Sequence, residues 1–310
     1  MSTRKFVYLV LILALVAVLA VACKEKEETA AVTFGMVMVG PKNDHGWSQA
    51  HYDAGLYVEQ KLPGSKMLYL ENVYSGSPAY PGTTTSQLAE QLVAQGAKLI
   101  IFNSDDMKDE ATKFAQAHPD ISVIMASGDQ VWKDGKAYIA MSNMVNIMGR
   151  MEYGKMIAGC AAALTTQTGK IGYLGPLIND ETRRLAASVY LGAKYCWDKY
   201  LGKDPAQLSV KVTWIGFWFN IPGVTSDPTQ VADDFFNSGY DVVISGIDTT
   251  EAMAEAKKLS DAGQKVWAIP YDYKGACDQA PAMMVNEKTY GNLTLGTLQN
   301  IILTLKDSGQ

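Results

Sequence analysis

The chain has 310 residues, of which 48% are hydrophobic and 19% are charged, and this balance excludes a disordered or fibrous protein. At roughly 150 residues per domain, the length suggests about two domains. The net charge of −5 argues against broad nucleic-acid binding, which needs clustered Lys and Arg, and the four cysteines are too few for a disulfide scaffold.

The first 31 residues predict secretion and a lipid anchor. Basic Arg4 and Lys5 precede seventeen consecutive apolar residues, and small residues lead up to Cys23, as in a secretory signal. Cys23 at that position resembles the lipobox cysteine of prokaryotic lipoproteins. We therefore expect a signal peptide at 1–22, a charged tether at 23–31 and a lipidated Cys23 that holds the protein on the extracytoplasmic side of the cell membrane. An uncleaved anchor helix is the alternative and predicts the same location.

The rest of the chain predicts alternating strands and helices. Short apolar runs predict strands at 32–39, 67–70, 98–102, 121–125, 137–141, 171–174, 209–215, 242–245, 265–269 and 282–285. Helical spacing of apolar residues predicts helices at 46–62, 86–94, 108–117, 144–164, 182–200, 229–237, 251–262 and 293–305. The central strands are apolar throughout, which indicates an α/β fold whose parallel sheets are covered by helices on both faces.

The sequence lacks the common catalytic and metal-binding motifs. It contains no G-x-G-x-x-G, P-loop, H-E-x-x-H, G-x-S-x-G or C-x-x-C pattern. The histidines show no metal-ligand spacing with Cys160, Cys196 or Cys277. We therefore expect no enzyme, no metal and no cofactor, and the pairing of these three cysteines stays open.

Polar and aromatic side chains follow several predicted strands, at the edge where open α/β sheets bind their ligands. The candidate ligand-binding residues are Asn43, Asp44, Trp47, Ser104, Asp105, Asp106, Asn143, Trp218, Phe219, Asp248 and Asp272. Aromatic rings form flat walls, and carboxylates accept hydrogen bonds from amines, ring N–H groups and hydroxyls. The pattern predicts a pocket for a flat small molecule.

These candidates also have structural interpretations. The three aromatic residues suit core positions between helices or lobes, most of the acids and Asn143 suit helix N-caps, and Asp272 suits a turn. Because the same pattern recurs at several strand ends, we favour ligand binding.

Three segments resemble one protein family. Residues 40–52, which read GPKNDHGWSQAHY, resemble the first-loop motif of the basic membrane protein (BMP) family of ABC-transporter substrate-binding lipoproteins, which includes purine nucleoside receptors. Residues 143–150 resemble the family's crossover-to-helix segment, and 214–219 resemble the strand that ends in a stacking aromatic. The order of elements is also similar, so the resemblance covers residues 32 to 305.

This resemblance implies a type I periplasmic-binding-protein fold, in which two Rossmann-like lobes are hinged around a ligand cleft. Lobe one would comprise 32–142 and 274–310, and lobe two would comprise 143–273. The resemblance also implies a monomeric receptor that binds a purine nucleoside or nucleobase and delivers it to an ABC permease.

The resemblance further assigns roles by position. Trp47 matches the aromatic that stacks on the base, and Asn43 and Asp44 match polar contacts of the same loop. An acid at 104–106 would face the base, while Asp248 and Asp272 fall where the family places ribose or base contacts. Trp218 and Phe219 compete for the second stacking position.

One departure from the family pattern widens the range of ligands. The Ser-Phe-Asn of the nucleoside receptors is absent here, and Gly46-Trp47 stands in its place. A nucleobase, another flat heterocycle or a sugar therefore remains an alternative ligand, and a sensory surface lipoprotein without a transporter remains an alternative function.

Overall fold

The computed structural model describes residues 31–44, 46–135 and 138–271, together with the backbone of two short strands near the C-terminus. The first sheet has five parallel strands in the order β2-β1-β3-β4-β5. They are β1 (Thr33–Val37), β2 (Lys66–Leu70), β3 (Leu99–Phe102), β4 (Ser122–Ala126) and β5 (Met144–Ile147). The helices that join them are α1 (Trp47–Lys61), α2 (Thr85–Ala94) and α3 (Lys108–Ala117), with a 3₁₀ turn at Asp105–Met107. We call this unit the first lobe.

The second lobe is built in the same way around four parallel strands in the order β7-β6-β8-β9. They are β6 (Lys170–Gly175), β7 (Ser209–Trp214), β8 (Val242–Ser245) and β9 (Trp267–Ile269). Its helices are α4 (Met151–Thr165), α5 (Asp180–Lys199), α6 (Pro228–Asn237) and α7 (Glu251–Asp261), with a 3₁₀ turn at Pro205–Gln207. Two further strands, β10 (Met283–Val285) and β11 (Lys288–Tyr290), form an antiparallel pair.

The α/β prediction is confirmed, since helices cover parallel sheets in both lobes. All four residues of β8 are buried, as expected for a central strand covered on both faces. Helix starts follow local sequence signals. Thr84 forms a capping box with Gln87 at α2, and Asn179 forms one with Thr182 at α5.

Helices α4 and α5 pack closely because glycines face each other's backbone. A Cβ at Gly159 would lie 2.0 Å from the Val189 carbonyl oxygen, and one at Gly192 would lie 2.0 Å from the Met156 carbonyl oxygen. A disulfide between Cys160 and Cys196 joins the same two helices, with a Cα–Cα distance of 5.2 Å. The cysteine pairing left open by the sequence is therefore settled for these two residues.

The prediction was wrong in the crossover between the lobes. Residues 138–141 form no strand, and the fifth strand is Met144–Ile147, which lies where a helix was predicted. Helix α4 begins only at Met151. Because β5 pairs with β4, the first sheet extends past the predicted lobe boundary after residue 142.

Several predictions fall outside the described residues. They concern the signal peptide, the tether, Cys23, Asp272 and the helix at 293–305. Across the part of the chain that is described, no helix has both the length and the apolar character needed to cross a bilayer.

Candidate functional site

A cavity lies between the lobes, at the carboxyl ends of both sheets. Its empty volume is about 270 Å³, and its lining residues are Trp47, Asn103, Ser104, Asp105, Ser127, Glu181, Trp218, Asp248 and Tyr271. The carboxyl ends of parallel strands are where α/β folds bind ligands. This volume includes space that is open to solvent, so the lining residues rather than the volume indicate what the cavity can bind.

Trp47 is the first residue of α1 and forms part of the first-lobe wall. Its indole N–H donates to the Asn103 carbonyl oxygen, and its ring centroid lies 4.5 Å from that of His51. Burial lowers the pKa of His51, which favours a neutral imidazole against the indole. The indole is thus held by both a hydrogen bond and a ring contact.

Asp44 supports the start of α1 and is absent from the cavity lining. Its carboxylate accepts from the backbone N–H groups of Gly46, Ser48 and Gln49 at 2.9, 2.9 and 3.0 Å. These N–H groups have no partners within the helix, so Asp44 acts as a cap. Asn43 is exposed to solvent and also does not line the cavity. Of the described residues in this loop, Trp47 alone lines the cavity.

The segment after β3 brings two of its three predicted residues to the cavity. Ser104 and Asp105 line it, whereas the Asp106 carboxylate accepts from the Ser75 N–H at 2.8 Å and is not part of the lining. Burial raises the pKa of Asp106. Ser104 also accepts from the Asp106 N–H at 3.3 Å, which caps the 3₁₀ turn. Of the two acids in this segment, Asp105 lines the cavity and Asp106 does not.

Asn103 also lines the cavity, although it was not among the candidates. Its Oδ1 accepts from the Val39 N–H at 2.8 Å, which fixes the orientation of the amide. Its Nδ2 is buried and has no hydrogen-bond partner among the described residues. A buried donor without a partner costs free energy, so a ligand acceptor at this point would be stabilising.

Trp218 is the aromatic residue that the second lobe contributes after β7. Its side chain is buried and lines the cavity, and its Nε1 has no partner within the described part of the chain. Phe219 instead packs against Tyr74 and Phe217, with ring centroids 5.5 and 5.0 Å apart. Of the two competing aromatics, only Trp218 faces the cavity.

Asp248 is buried in the turn after β8 and lines the cavity. Its backbone N–H donates to the Trp218 carbonyl oxygen at 2.8 Å. The two second-lobe residues are thus fixed relative to each other. Tyr271, which follows β9, completes this side of the cavity and was not among the candidates.

Two hydrogen bonds join the lobes at the cavity rim. Ser127 donates through its hydroxyl to Glu181 Oε2 at 2.6 Å, and Asn179 donates through its amide to Asp105 Oδ2 at 2.8 Å. Each lobe gives one donor and one carboxylate. Lys108 also contacts Asp105, at 3.1 Å. Burial raises the pKa of Glu181, and the nearby charge of Asp105 adds to this shift, whereas the hydrogen bond from Ser127 opposes it.

The structure places Asn143 away from the cavity, contrary to its predicted role. It immediately precedes β5 and therefore lies at the opposite end of the sheet. The prediction was wrong because it placed a strand at 137–141, with Asn143 after its carboxyl end. Its Nδ2 donates to the carbonyl oxygens of Ala115, His118 and Ile121 at 2.9, 3.0 and 3.1 Å. Asn143 therefore stabilises the segment between α3 and β4 through these hydrogen bonds.

Sequence reasoning missed four lining residues: Asn103, Ser127, Glu181 and Tyr271. Asn103 and Ser127 directly follow strand ends and Tyr271 follows β9 after one residue, so the rule that located the other candidates also applies to them. Glu181 is different, because it lies in the first turn of α5, where an acid is expected for helix stability alone.

Among the described residues, the lining combines three carboxylates, two indoles and one phenol, and it includes no Lys, Arg or His. Carboxylates only accept hydrogen bonds when ionised, whereas the free groups of Asn103 and Trp218 only donate. The site therefore matches a small flat molecule that carries both donors and acceptors. Within the described ranges, no group of three His, Cys, Asp or Glu side chains is arranged to hold a metal ion.

Comparison with known proteins identifies the family. The family model described as ABC transporter substrate-binding protein PnrA-like, Bmp, matches residues 31–286. The chain belongs to the Bmp family. The resemblance seen in the sequence is thus confirmed, and Bmp proteins are substrate-binding receptors rather than enzymes.

Three curated relatives are similar to this Bmp protein over about three quarters of its length. A purine-binding protein of Brucella abortus is 28% identical over 224 residues, which cover 72% of this chain and 56% of the relative. A putative glucose-binding protein of Haloferax volcanii is 27% identical, covering 79% and 54%. A nucleoside-binding protein of Lactococcus lactis is 26% identical, covering 74% and 60%. The chain thus spans between 54% and 60% of these relatives' lengths.

Solved structures of ABC-transporter solute-binding proteins share the fold. One from Aeropyrum pernix K1 has a TM-score of 0.60 at 14% identity and covers 76% of this chain and 61% of that one. Another, from Conexibacter woesei, has a TM-score of 0.55 at 16% identity and covers 79% and 71%. The predicted two-lobed periplasmic-binding-protein fold is confirmed.

Proposed function

We propose that this Bmp protein is the extracytoplasmic receptor of an ABC importer and that it binds a purine nucleobase or nucleoside between its lobes. The observation that carries this proposal is the cavity whose lining includes Trp47 from the first lobe and Trp218 from the second. Aromatic stacking contributes about 1–3 kcal/mol per base. Two such contacts and a few hydrogen bonds are enough for a micromolar ligand, which requires about −8.2 kcal/mol.

Hydrogen bonding at the cavity also suits a purine. Asp105, Glu181 and Asp248 offer acceptors for exocyclic amines, ring N–H groups and ribose hydroxyls. Asn103 Nδ2 and Trp218 Nε1 offer donors for ring nitrogens or a carbonyl oxygen. A purine carries both kinds of group on one flat ring. Two relatives whose names specify purine and nucleoside binding support the same ligand class.

The proposed location agrees with the cysteine chemistry. The Cys160–Cys196 disulfide is of the kind that forms and persists in oxidising compartments outside the cytoplasm. We further propose that Cys23 carries the lipid anchor, on the basis of the signal-like segment before it. Labelling cells with radioactive palmitate should mark the wild-type protein but not Cys23→Ser, and equal labelling of both would exclude this anchor.

Calorimetric titration tests the ligand assignment. The full chain, solubilised in detergent and stripped of bound ligand by unfolding and refolding, is titrated with adenine, guanine, adenosine, guanosine and inosine. Binding at micromolar concentration or tighter is expected for at least one, with a 5- to 150-fold loss in Trp47→Ala that corresponds to about 1–3 kcal/mol. Trp132→Ala is the matched control, because Trp132 is an exposed tryptophan that does not line the cavity.

A sugar is the second candidate ligand. Aromatic faces and carboxylates also bind sugars, and the relative from Haloferax volcanii is named as a putative glucose-binding protein. Glucose and ribose are therefore included in the titration. If the folded protein binds one of these sugars and none of the purines, a sugar replaces the purine as the proposed ligand.

A further inference from the structure

Lys155 is a buried cation directly behind the cavity wall. It lies on α4 and is only 4% exposed. Its Nζ donates to the Ser245 carbonyl oxygen at 2.6 Å, and it lies 3.9 Å from the ring centroid of Tyr271 and 5.6 Å from that of Tyr173. Lys155 is not part of the cavity lining, whereas Tyr271 is.

Burying a lysine is costly, because its ammonium group is strongly hydrated in water. Two contacts of Lys155 are made with elements of the cavity wall. One is the ring of Tyr271, and the other is the carboxyl end of β8 at Ser245.

The second contact leads to two further lining residues. Ser245 begins the turn that carries Asp248, and the Asp248 N–H donates to the Trp218 carbonyl oxygen at 2.8 Å. Lys155 thus touches one wall residue directly and supports the turn that fixes two others. Helix α4 is a firm base for this contact, because the Cys160–Cys196 disulfide and the close approach at Gly159 hold it against α5.

We propose that Lys155 is a positioning residue for ligand binding, which orients the Tyr271 ring through a cation–π contact and anchors the turn from Ser245 to Asp248. A cation over a desolvated aromatic face is attracted to the ring, so the ammonium group favours one placement of Tyr271. Ligand affinity then depends on a side chain that does not touch the ligand.

The test separates the two contacts of Lys155 by substitution. Lys155→Met keeps the length of the side chain and removes both the charge and the donor. Lys155→Gln keeps an N–H donor, one atom closer to the backbone than the lysine Nζ, and removes the charge. Lys194→Met is the matched control, because Lys194 is an exposed lysine of the same lobe that does not line the cavity.

Two readouts are measured on the full chain in detergent. The first is the Kd of whichever purine in the panel binds the wild type most tightly. The second is the NMR signal of Tyr271 in protein labelled with ¹³C at tyrosine Cζ, assigned by its loss in Tyr271→Phe. This second readout needs no ligand, so it still tests Lys155 if the wild type binds no purine and the proposed function fails.

The expected results distinguish positioning from a general structural role. Lys155→Met and Lys155→Gln should each shift the Tyr271 signal and weaken binding about tenfold or more, whereas Lys194→Met should change neither. In a Tyr271→Leu background, Lys155→Gln should cause less than a threefold further loss, because the residue through which it acts has been removed. If Lys155→Met does not fold, the test is made with Lys155→Gln alone. An unshifted Tyr271 signal in a folded Lys155→Gln, or losses that add fully in the double variant, would overturn the proposal.

Discussion

Removing the Cys160–Cys196 disulfide is expected to destabilise the protein by a calculable amount. The two cysteines are 36 residues apart in sequence. In the chain-entropy model, a cross-link closing a loop of this length lowers the entropy of the unfolded chain by about 13 cal/mol/K, or about 4 kcal/mol at 25 °C. That is a large share of the 5–15 kcal/mol that typically separates folded from unfolded states.

The assay is urea unfolding followed by circular dichroism, with Cys160→Ala/Cys196→Ala compared to the oxidised wild type. Cys277→Ala is present in every sample, so that no free thiol from position 277 exchanges with the pair. The variant should lose about 4 kcal/mol of the free energy of unfolding. Reduction of the wild type with dithiothreitol should cause a loss of similar size, whereas the same treatment should leave the variant unchanged.

The close packing of α4 and α5 is a competing source of stability in this test. Gly159 and Gly192 allow backbone contact between the helices without any cross-link. If this contact alone determined how the pair assembles, the variant would lose less than about 1 kcal/mol, and reduction would have no measurable effect. That result would refute the entropy argument for this disulfide.

Two further variants test the acid at the lobe junction and the corrected assignment of Asn143. Because the folded-state pKa of Glu181 is raised, its protonated form stabilises the protein below the unfolded-state pKa, and this contribution is lost as the pH rises through the folded-state pKa. Glu181→Gln should therefore have a higher melting temperature than the wild type at pH 7, with the difference disappearing below pH 4.5; an equal difference at both pH values would contradict the burial argument. Asn143→Ala should lose about 1–3 kcal/mol of the free energy of unfolding, because three carbonyl groups lose the amide that donates to them. Its Kd for purines should be unchanged. A higher Kd in a variant of full stability would instead show that Asn143 contributes to ligand binding.

The strands of the fold could be predicted where both faces are buried. The run at β3 is apolar throughout and the run at β8 is apolar up to Ser245, and such runs in short segments indicate a central parallel strand. Edge strand β5 carries a weaker signal. Val145 and Ile147 are 52% and 49% exposed, so no continuous buried run marks this strand. Met144 in the strand and Met148 after it also continue the helical spacing of α4, which begins at Met151, and the two elements were read as one helix.

The site was predictable only to the level of the loops. Sequence spacing located the strand ends, but it does not determine which side chain of a loop turns inward. Asp44 and Asp105 both lie in segments that follow strands, yet the first binds backbone N–H groups and the second lines the cavity. Glu181 was missed for a related reason, since its contact with Ser127 joins residues 54 apart in sequence. Such contacts depend on how the two lobes pack together in three dimensions.

The exchange of hydrogen bonds between the lobes has a consequence for how tightly they stay together. Ser127, Glu181, Asn179 and Asp105 are all groups that water can satisfy when the sheets separate. Both bonds are accepted by carboxylates, and a hydrogen bond to a charged group contributes about 1.5–3 kcal/mol. The aromatic contact between Tyr74 and Phe219 also joins the lobes, so the polar bonds are only one part of what holds them together. Under the proposed function, a ligand that contacts both lobes adds to these contacts and shifts the balance toward the closed arrangement.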